Sequence, residues 1–282
     1  MDKPPAMSSH DVVQRVRRVM AIKAAGHTGT LDPFATGLLV VLVGRATRLA
    51  RFVEAHSKVY LATARLGVRT DTDDLTGRVI ESSEAGGSVG EDQVVEALGR
   101  FLGTQLQRPP QYSAKHIGGE RSYRKARRGE VVQLTEVSVT VERIELVEYR
   151  PPLVTFRAVV SAGTYLRGLA RDIGERLGVG AHLTSLRREA IGSLRVEKAV
   201  PLDRLSAHDL ISPLTVLGSI PTVELGQEDR VAVSHGRAVV DSGEAGKRVS
   251  GTVVGLLGDG ELVAVARADS GWLYPSVVLE AP

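Results

Sequence analysis

The sequence predicts an α+β fold, and three observations favour this class. Residues 58–67 alternate or are rich in β-forming side chains, which is typical of a strand. Residues 164–177 place leucine, isoleucine and alanine on one face of a helix. Strand-like and helix-like segments interleave along the chain without a strict β-α-β rhythm, so a mixed architecture is expected.

The amino-terminal elements follow from spacing and capping residues. Ser8 or Ser9 is suited to cap an amphipathic helix, which Gly26 is expected to end. A glycine-rich loop then covers residues 26–37, and an apolar run covers residues 38–43.

The middle of the chain predicts one helix and two strands. A small, polar loop at 82–90 precedes an amphipathic helix at 91–102. Strands are expected at 131–147 and 153–160, on either side of a proline-rich turn at 150–152.

The composition changes after about Leu217, which predicts a separate small β domain. The sequence there consists of short β-rich segments separated by glycine and aspartate, at 249–257, 262–266 and 273–279. A chain of 282 residues can form a large and a small domain, and we expect these at 1–217 and 218–282.

The composition also limits the chemistry and the location. The chain has no cysteine, which excludes disulfides, cysteine-ligated zinc and a thiolate nucleophile. Neither an apolar leader nor a stretch approaching the ~18 apolar residues of a membrane span is present, so no membrane association and a cytoplasmic location are expected.

Basic residues occur in three groups. A net charge of +3 and a pI near 9.2 permit an anionic partner without requiring one. A single basic group is more often a solvated helix face, but three in one chain favour RNA or DNA binding. The groups are Arg15, Arg17 and Arg18; Arg121, Arg124, Lys125, Arg127 and Arg128; and Arg187 and Arg188.

The loop from Gly26 to Gly37 is the most unusual segment of the chain. Its glycines permit tight bends, and small residues around Asp32 leave room for a ligand. Asp32 and Pro33 also suit an N-cap and first position of a helix. A phosphate-binding loop is a further alternative, although the Walker and dinucleotide spacings are missing.

Residues 29–37 resemble the signature Gly-x-Leu-Asp-Pro-x-Ala-Thr-Gly of TruB-type pseudouridine synthases, in which the aspartate is catalytic. Other segments resemble the same family in the same order. They are Asp2-Lys3-Pro4 with Met7–Asp11, Lys58–Asp73, Pro109–Ala114 with the basic stretch after it, Ser161–Arg167, and Gly180–Arg188.

The resemblance implies a mixed-sheet pseudouridine synthase domain followed by a small PUA-like, RNA-binding β domain. It implies isomerisation of uridine 55 in the T arm of tRNA, with Asp32 as the catalytic carboxylate. The reaction breaks the N1–C1′ bond and rejoins the uracil through C5, so neither a metal nor another cofactor is expected. We expect tRNA as the partner, no obligate protein partner, and a monomer.

The resemblance also assigns roles near Asp32. Arg167 is expected to pair with Asp32, which would offset the unfavourable position of a cation in the first turn of a helix. Without the resemblance, Arg167 fits an exposed face with Arg171 and Glu175. Tyr60 corresponds to a tyrosine that stacks on the flipped uracil, although a half-buried strand residue is the plain alternative.

Other residues are expected to contact RNA. His27 corresponds to a residue that fills the gap left by the flipped base, although its ring also suits a solvent-exposed loop. Lys3, Leu186 and Arg187 are expected to line the pocket. An insertion at about 108–130 is expected to clamp RNA, through the basic residues Arg121, Arg124, Lys125, Arg127 and Arg128.

Two other functions remain open at this point. An aspartate that attacks C1′ would also serve a base-exchanging transglycosylase or a glycosidase, which release of free uracil would reveal. The basic surface would also suit a non-catalytic tRNA-folding chaperone, whose activity would survive mutation of Asp32.

Overall fold

The computed structural model describes residues 1–111, 135–242 and 248–280, together with the backbone at 116–117 and 120–121. The chain divides into two compact units whose segments alternate along the sequence. The first unit contains Met1–Val12, Gly29–Leu39 and Ala55–Asp203. The second contains Val13–Thr28, Val40–Glu54 and Arg204–Pro282. The boundary expected near Leu217 stays a prediction.

The described residues form strands and helices in the following order. The strands are β1 (Asp2–Lys3), β2 (Ala25–His27), β3 (Thr36–Leu38), β4 (Val41–Val43), β5 (Lys58–Leu66), β6 (Val68–Thr70), β7 (Val79–Ser82), β8 (Gly103–Gln107), β9 (His116–Ile117), β10 (Glu120–Arg121), β11 (Val137–Arg150), β12 (Leu153–Val160), β13 (Ala181–Ile191), β14 (Leu194–Arg195), β15 (Thr222–Glu224), β16 (Val239–Val240), β17 (Val253–Gly258), β18 (Glu261–Asp269) and β19 (Trp272–Val278). The helices are α1 (Ser9–Val19), α2 (Ala50–Glu54), α3 (Glu91–Gly99), α4 (Leu166–Arg176) and α5 (Gln227–Ser234).

The first unit contains an eight-stranded sheet in the order β1-β3-β13-β5-β12-β11-β8, with β14 paired to β13. Strands β3 and β13 are parallel, whereas the other neighbours are antiparallel. The sheet is therefore mixed, and together with the helices it confirms the predicted α+β class.

Strict alternation explains which face of this sheet is buried. In β12, Val154, Phe156, Ala158 and Val160 are fully buried and lie opposite inward residues of β5. Helix α4 packs against β13 through the apolar side of its amphipathic pattern. The buried apolar area of this face provides most of the stabilisation of the unit.

The second unit contains the β2–β4 hairpin and a five-stranded sheet in the order β15-β17-β18-β19-β16. Its core is formed by alternating aliphatic residues such as Val254, Leu256, Ala264 and Leu273, together with Val233 of α5. The small β-rich region predicted from the sequence is confirmed by this sheet.

Several predicted boundaries were wrong. Helix α1 ends at Val19 rather than at Gly26, because residues 25–27 pair with β4 and form a strand instead. Helix α3 ends at Gly99, three residues before the predicted end. The structure describes β11 from Val137, and the predicted residues 131–134 lie outside the described residues. No helix in the described part of the chain has the length and apolar character needed to cross a membrane.

Candidate active site

Asp32 and Arg167 form a two-point ion pair in the first unit. The Asp32 Oδ2 atom lies 2.9 Å from Arg167 Nε, and Oδ1 accepts a hydrogen bond of 3.1 Å from Arg167 Nη2. The Arg167 side chain is only 6% exposed, whereas that of Asp32 is 31% exposed. The guanidinium therefore fixes the carboxylate from the protein side and leaves part of it accessible to a substrate.

Contacts to the residues on either side of Asp32 hold its backbone in place. The Ser9 hydroxyl accepts a hydrogen bond from the Leu31 N–H and donates one to the Leu31 carbonyl. The Lys3 ammonium donates to the Pro33 carbonyl at 3.3 Å. Asp32 precedes a tight turn, closed by the Ala35 N–H, and then strand β3. The alternative in which Asp32 caps a helix is therefore wrong.

A short acidic loop between β6 and β7 holds Arg167 from behind. Arg167 Nη1 donates to the Thr72 carbonyl at 3.1 Å and lies 3.5 Å from Asp74 Oδ2. Asp74 is itself fixed, since its Oδ1 atom accepts hydrogen bonds from the Thr72 hydroxyl and from the N–H and hydroxyl of Thr76. A cation in the first turn of α4 is thus compensated by two carboxylates, Asp32 and Asp74.

Arg171, one turn further along α4, is anchored in the same way. It pairs with Asp73 and Asp172, and its Nη2 atom donates to the Arg108 carbonyl at 3.0 Å. Arg167 and Arg171 are both buried, so the alternative of an exposed face is wrong for these two residues.

A row of side chains crosses the buried face of the sheet at the same level. Lys3 pairs with Gly37, Gly37 with Arg188, and Arg188 with Tyr60 across four neighbouring strands. Directly paired residues share a face, so Lys3, Arg188 and Tyr60 point to the same side. Gly37 has a φ of +103°, and a Cβ atom there would lie 2.3 Å from the Arg188 carbonyl oxygen, so only glycine fits.

Arg188 connects this row to the loop that carries Asp32. Its guanidinium donates to the Gly29 carbonyl at 3.1 Å and to the Leu38 carbonyl at 2.7 Å, on both sides of Asp32 in the sequence. It also lies 3.4 Å from the Tyr60 hydroxyl. Tyr60 lies in β5 and is 8% exposed, which agrees with the alternative of a strand residue packed in the core. Its stacking on a base stays a prediction.

Burial dominates the electrostatics of the two ionisable groups beside the loop. Burial raises the pKa of Asp32, Arg167 opposes that shift, and the negative charge of Asp74 adds to it. Burial also lowers the pKa of Lys3 to about 8, against the attraction of Asp32. Arg167 therefore favours the ionised form of Asp32, against the effect of burial.

The other predicted RNA-contacting residues lie in different places. Leu186 is buried on the same face as Arg188. Arg187 points to the opposite face, where it forms a two-point ion pair with Asp2. His27 lies in β2 of the second unit. Arg121 lies in β10, and its side chain is outside the described residues, as are Arg124, Lys125, Arg127 and Arg128.

The sequence analysis did not identify three residues that organise the site. Arg188 was recognised only as part of a basic pair and of a resembling segment, Ser9 only as a possible helix cap within another such segment, and Asp74 was not singled out. Ser8 is the cap, through reciprocal hydrogen bonds with Asp11, which frees Ser9 for Leu31. The residue pattern alone does not show which of Ser8 and Ser9, or which of Arg187 and Arg188, faces inward.

In the ranges that the structure describes, no group of three or more histidine, aspartate or glutamate side chains is arranged to hold a metal ion. The candidate site brings together a partly exposed carboxylate, its arginine partner, and a tyrosine and a lysine from the sheet.

A partly exposed aspartate that an arginine holds beside a mixed sheet is an arrangement suited to an enzyme site. Comparison with known families identifies which enzyme class this is. Residues 17–166 match the profile of the TruB family pseudouridylate synthase N-terminal domain, and residues 167–212 match that of the tRNA pseudouridylate synthase B C-terminal domain. The chain belongs to the TruB family of pseudouridine synthases.

Individual relatives agree with this assignment over nearly the whole chain. The chain is 43% identical to tRNA pseudouridine synthase B of Thermobifida fusca (strain YX), covering 99% of this chain and 96% of the relative. It is 41% identical to the protein of that name from Burkholderia pseudomallei (strain 668), with coverage of 98% and 94%.

Solved structures show the same fold. The chain is similar to one in an H/ACA RNP bound to a substrate RNA containing 2′-deoxyuridine, with a TM-score of 0.75, 26% identity, and coverage of 99% of this chain and 83% of that one. It also resembles a chain of the archaeal box H/ACA sRNP Nop10-Cbf5 complex, with a TM-score of 0.73 and 26% identity over 99% of this chain and 85% of that one.

Proposed function

We propose that this protein isomerises uridine 55 in the T arm of tRNA to pseudouridine, with Asp32 as the catalytic carboxylate. The pairing of Asp32 with buried Arg167 carries the proposal, because it leaves a partly exposed, oriented carboxylate. The names of the relatives, tRNA pseudouridine synthase B, support tRNA as the substrate.

The reaction conserves all atoms of the nucleotide. The N1–C1′ bond breaks, the uracil turns, and a C1′–C5 bond forms; C5 then loses its proton and N1 gains one. A carboxylate near the sugar serves this sequence by attacking C1′, by stabilising positive charge that develops on the ribose, or by removing the 2′ proton. Each role requires an ionised Asp32, which is the form that Arg167 favours.

Tyr60 is proposed to stack on the flipped uracil and to assist removal of the C5 proton. Its hydroxyl lies beside the Arg188 guanidinium, which restricts its orientation. Lys3 is proposed to line the same pocket, since it contacts the backbone immediately after Asp32. Leu186, which is buried on the same face as Arg188, is proposed as a further pocket residue. Arg187 was also expected there, but it points to the opposite face and pairs with Asp2, so the proposal does not include it.

A base stacked in the T loop must leave the stack before Asp32 can reach its ribose, at a cost of a few kcal/mol. We propose that His27 fills the gap and that the basic insertion at about 108–130 holds the RNA by its phosphates. We further propose that the protein acts as a monomer without an obligate protein partner. A cytoplasmic location also stays a prediction.

The test is incubation of the protein with unmodified tRNA, followed by chemical mapping of pseudouridine and measurement of free uracil. Asp32→Asn should abolish isomerisation while tRNA affinity stays within about tenfold, because the lost charge acts mainly on the transition state. Asp92→Asn, at an exposed aspartate in the first turn of α3, is the matched control and should behave as wild type.

Pseudouridine at position 55 in the wild type and the control would support the proposal. Free uracil without pseudouridine would indicate a base-removing enzyme instead. Turnover by Asp32→Asn above about a thousandth of wild type would exclude Asp32 as the catalytic carboxylate.

A further inference from the structure

Helix α4 begins without a side-chain cap of its own. Its N-cap residue, Tyr165, has an extended backbone, and within the described part of the chain its side chain makes no capping hydrogen bond. Serine, threonine, aspartate or asparagine usually occupies this position. The first turn nevertheless carries Arg167, whose guanidinium meets both carboxylate oxygens of Asp32. A group outside the helix is therefore needed to fix where α4 begins.

Gln107, the last residue of β8, supplies this group. Its Nε2 atom donates to the Tyr165 carbonyl at 3.0 Å, and its Oε1 atom accepts a hydrogen bond of 2.9 Å from the Tyr165 N–H. The carboxamide thus binds both backbone groups of one residue, which fixes the orientation of that residue as well as its distance. Gln107 is only 3% exposed, so little water competes for these hydrogen bonds.

The same end of β8 packs along one side of α4. Gly168 lies beside the Gln107 carboxamide, since a Cβ atom on Gly168 would be 3.2 Å from Nε2 and 3.5 Å from the Arg108 carbonyl oxygen. That carbonyl accepts a hydrogen bond of 3.0 Å from Arg171 Nη2. Residues 165, 168 and 171 are three apart and therefore share one side of the helix. The end of β8 consequently holds the helix over its first two turns.

Arg167 leaves the helix between these points of contact. Its Cα atom lies two residues after the one that Gln107 holds, so a shift of the first turn displaces the whole side chain. The Nε and Nη2 atoms lie 2.9 and 3.1 Å from the two oxygens of Asp32. A two-point ion pair depends on the position and angle of both groups, so it is sensitive to such a displacement.

We propose that Gln107 is a positioning residue for the reaction, because by binding the backbone of Tyr165 it sets the start of α4 and thereby the placement of Arg167 against Asp32. The proposal rests on the proposed function, since its main measurement is turnover. Gln107 acts through Arg167 rather than on the substrate.

The neutral side chain of Gln107 allows an effect of position to be separated from an effect of charge. Besides burial, which raises the pKa of Asp32, three charged groups act on it: Arg167 and Lys3 lower this pKa, and Asp74 raises it. Replacement of Gln107 by methionine changes none of these charges. A change in the pKa of Asp32 in that variant would therefore come from displacement of Arg167, and a weaker attraction would raise it.

The test is Gln107→Met, which keeps an unbranched side chain of similar length and removes both hydrogen bonds. The matched control is Gln105→Met, two residues earlier in β8. The Gln105 side chain also donates to a backbone carbonyl, that of Phe101 at 2.8 Å, which lies outside α4. Turnover at saturating tRNA, tRNA affinity by filter binding, and single-turnover rates across a pH series are measured for both variants.

Gln107→Met should lower turnover by about 10-fold while tRNA affinity stays within about threefold, because a small misplacement of Arg167 acts on the reacting carboxylate. The acid limb of its pH profile should move to higher pH, since Arg167 then lowers the pKa of Asp32 less. Gln105→Met should keep the wild-type turnover and pH profile. Equal effects of the two variants, or an unmoved acid limb in Gln107→Met, would overturn the proposal.

A double-mutant cycle shows whether Gln107 acts through Arg167. In the Arg167→Lys background, Gln107→Met should lower turnover by much less than the roughly 10-fold expected in the wild-type background, because the geometry that Gln107 supports is already lost. Equal losses in the two backgrounds would mean that the residues act independently, which would also overturn the proposal.

Two further measurements keep the result interpretable. Thermal unfolding shows whether Gln107→Met is folded; if it is not, Gln107→Asn keeps a carboxamide that is one methylene too short to bind both backbone groups, and wild-type behaviour of this variant would overturn the proposal. Absence of pseudouridine in the wild type would refute the proposed function by itself. The same double-mutant cycle in denaturant unfolding would then test the coupling, and additive effects would refute it.

Discussion

Arg167 does two things for Asp32, because it supplies both a positive charge and a planar pair of donors. Its Nε and Nη2 atoms meet the two carboxylate oxygens, while Nη1 contacts Thr72 and Asp74. A lysine at this position would keep the charge and lose the geometry. The two contributions can therefore be separated by substitution.

Arg167→Lys should lower turnover by about 100-fold with little change in tRNA affinity, because a small misplacement of a reacting group is costly. Single-turnover kinetics and filter binding measure the two effects. Arg176→Lys, at an exposed arginine of the same helix, is the control and should match wild type. Wild-type turnover in Arg167→Lys would show that the two-point geometry does not matter.

The raised pKa of Asp32 predicts an acid limb in the pH dependence of turnover. Activity requires the carboxylate, so it should fall as the pH decreases through this pKa, which lies above the ordinary value for aspartate. Arg167 lowers this pKa and Asp74 raises it. Arg167→Gln should therefore move the acid limb to higher pH, and Asp74→Asn should move it to lower pH.

Single-turnover rates across a pH series measure both shifts. A shift of the acid limb in the same direction in both variants would contradict its assignment to Asp32, since Arg167 and Asp74 act on the pKa of Asp32 with opposite signs.

The pairing of Asp32 with Arg167 could be predicted from the sequence through its resemblance to a family, but the position of Arg188 could not. Arg187 and Arg188 are adjacent and chemically identical. Which one faces inward depends on the register of β13 against β5, and a shift of one residue would exchange their faces. Similarly, a serine that caps a helix and one that holds Leu31 look alike in a sequence.

At the scale of elements, the loop that carries Asp32 is positioned by strands that are distant in sequence. Arg188 of β13 binds carbonyls at Gly29 and Leu38, and Lys3 of β1 binds the Pro33 carbonyl. These contacts explain how a glycine-rich loop can hold the Asp32 side chain in one position.

Arg188→Ala should lower the free energy of unfolding by about 2–5 kcal/mol, because the carbonyls of Gly29 and Leu38 would lose a buried donor. Arg187→Ala is the control from the next residue of the same strand. Its ion pair with Asp2 is partly exposed, so its loss should cost about 1 kcal/mol or less. Denaturant unfolding measures both, and equal losses would contradict a clamping role for Arg188.

Helix and strand periodicity predicted the long elements well, since β5, β12 and α4 each bury one continuous face. The end of α1 could not be predicted in this way. Residues 25–27 form a strand only because β4 lies beside them, and hydrogen bonds between segments are invisible to a local pattern.

At the scale of the whole molecule, the two units are built from alternating stretches of chain. The composition indicated one domain boundary, near Leu217, because short β-rich segments begin after it. It could not show that Val13–Thr28 and Val40–Glu54 belong with the carboxyl-terminal region, since this depends on contacts such as that of Arg48 with the Val278 carbonyl of β19.

A chain that ends after Asp203 should therefore fail to unfold cooperatively and should lose isomerase activity. The segments Val13–Thr28 and Val40–Glu54 would lose the partners that complete their unit. Thermal unfolding followed by circular dichroism measures the first effect, and pseudouridine mapping the second. A chain that ends at Glu280 is the control, and wild-type turnover by the shorter chain would contradict the prediction.

The alternation of segments also limits how this enzyme can be recombined. A module joined to its neighbour at one point can be exchanged by a single crossover, but here the polypeptide passes between the two units five times. Exchange of residues 204–282 alone would replace one of the three segments of the second unit. The other two segments would then face a foreign partner. The stretch with Asp32, Gly29–Leu39, has a segment of the second unit on each side, so the two units are expected to be inherited together rather than shuffled.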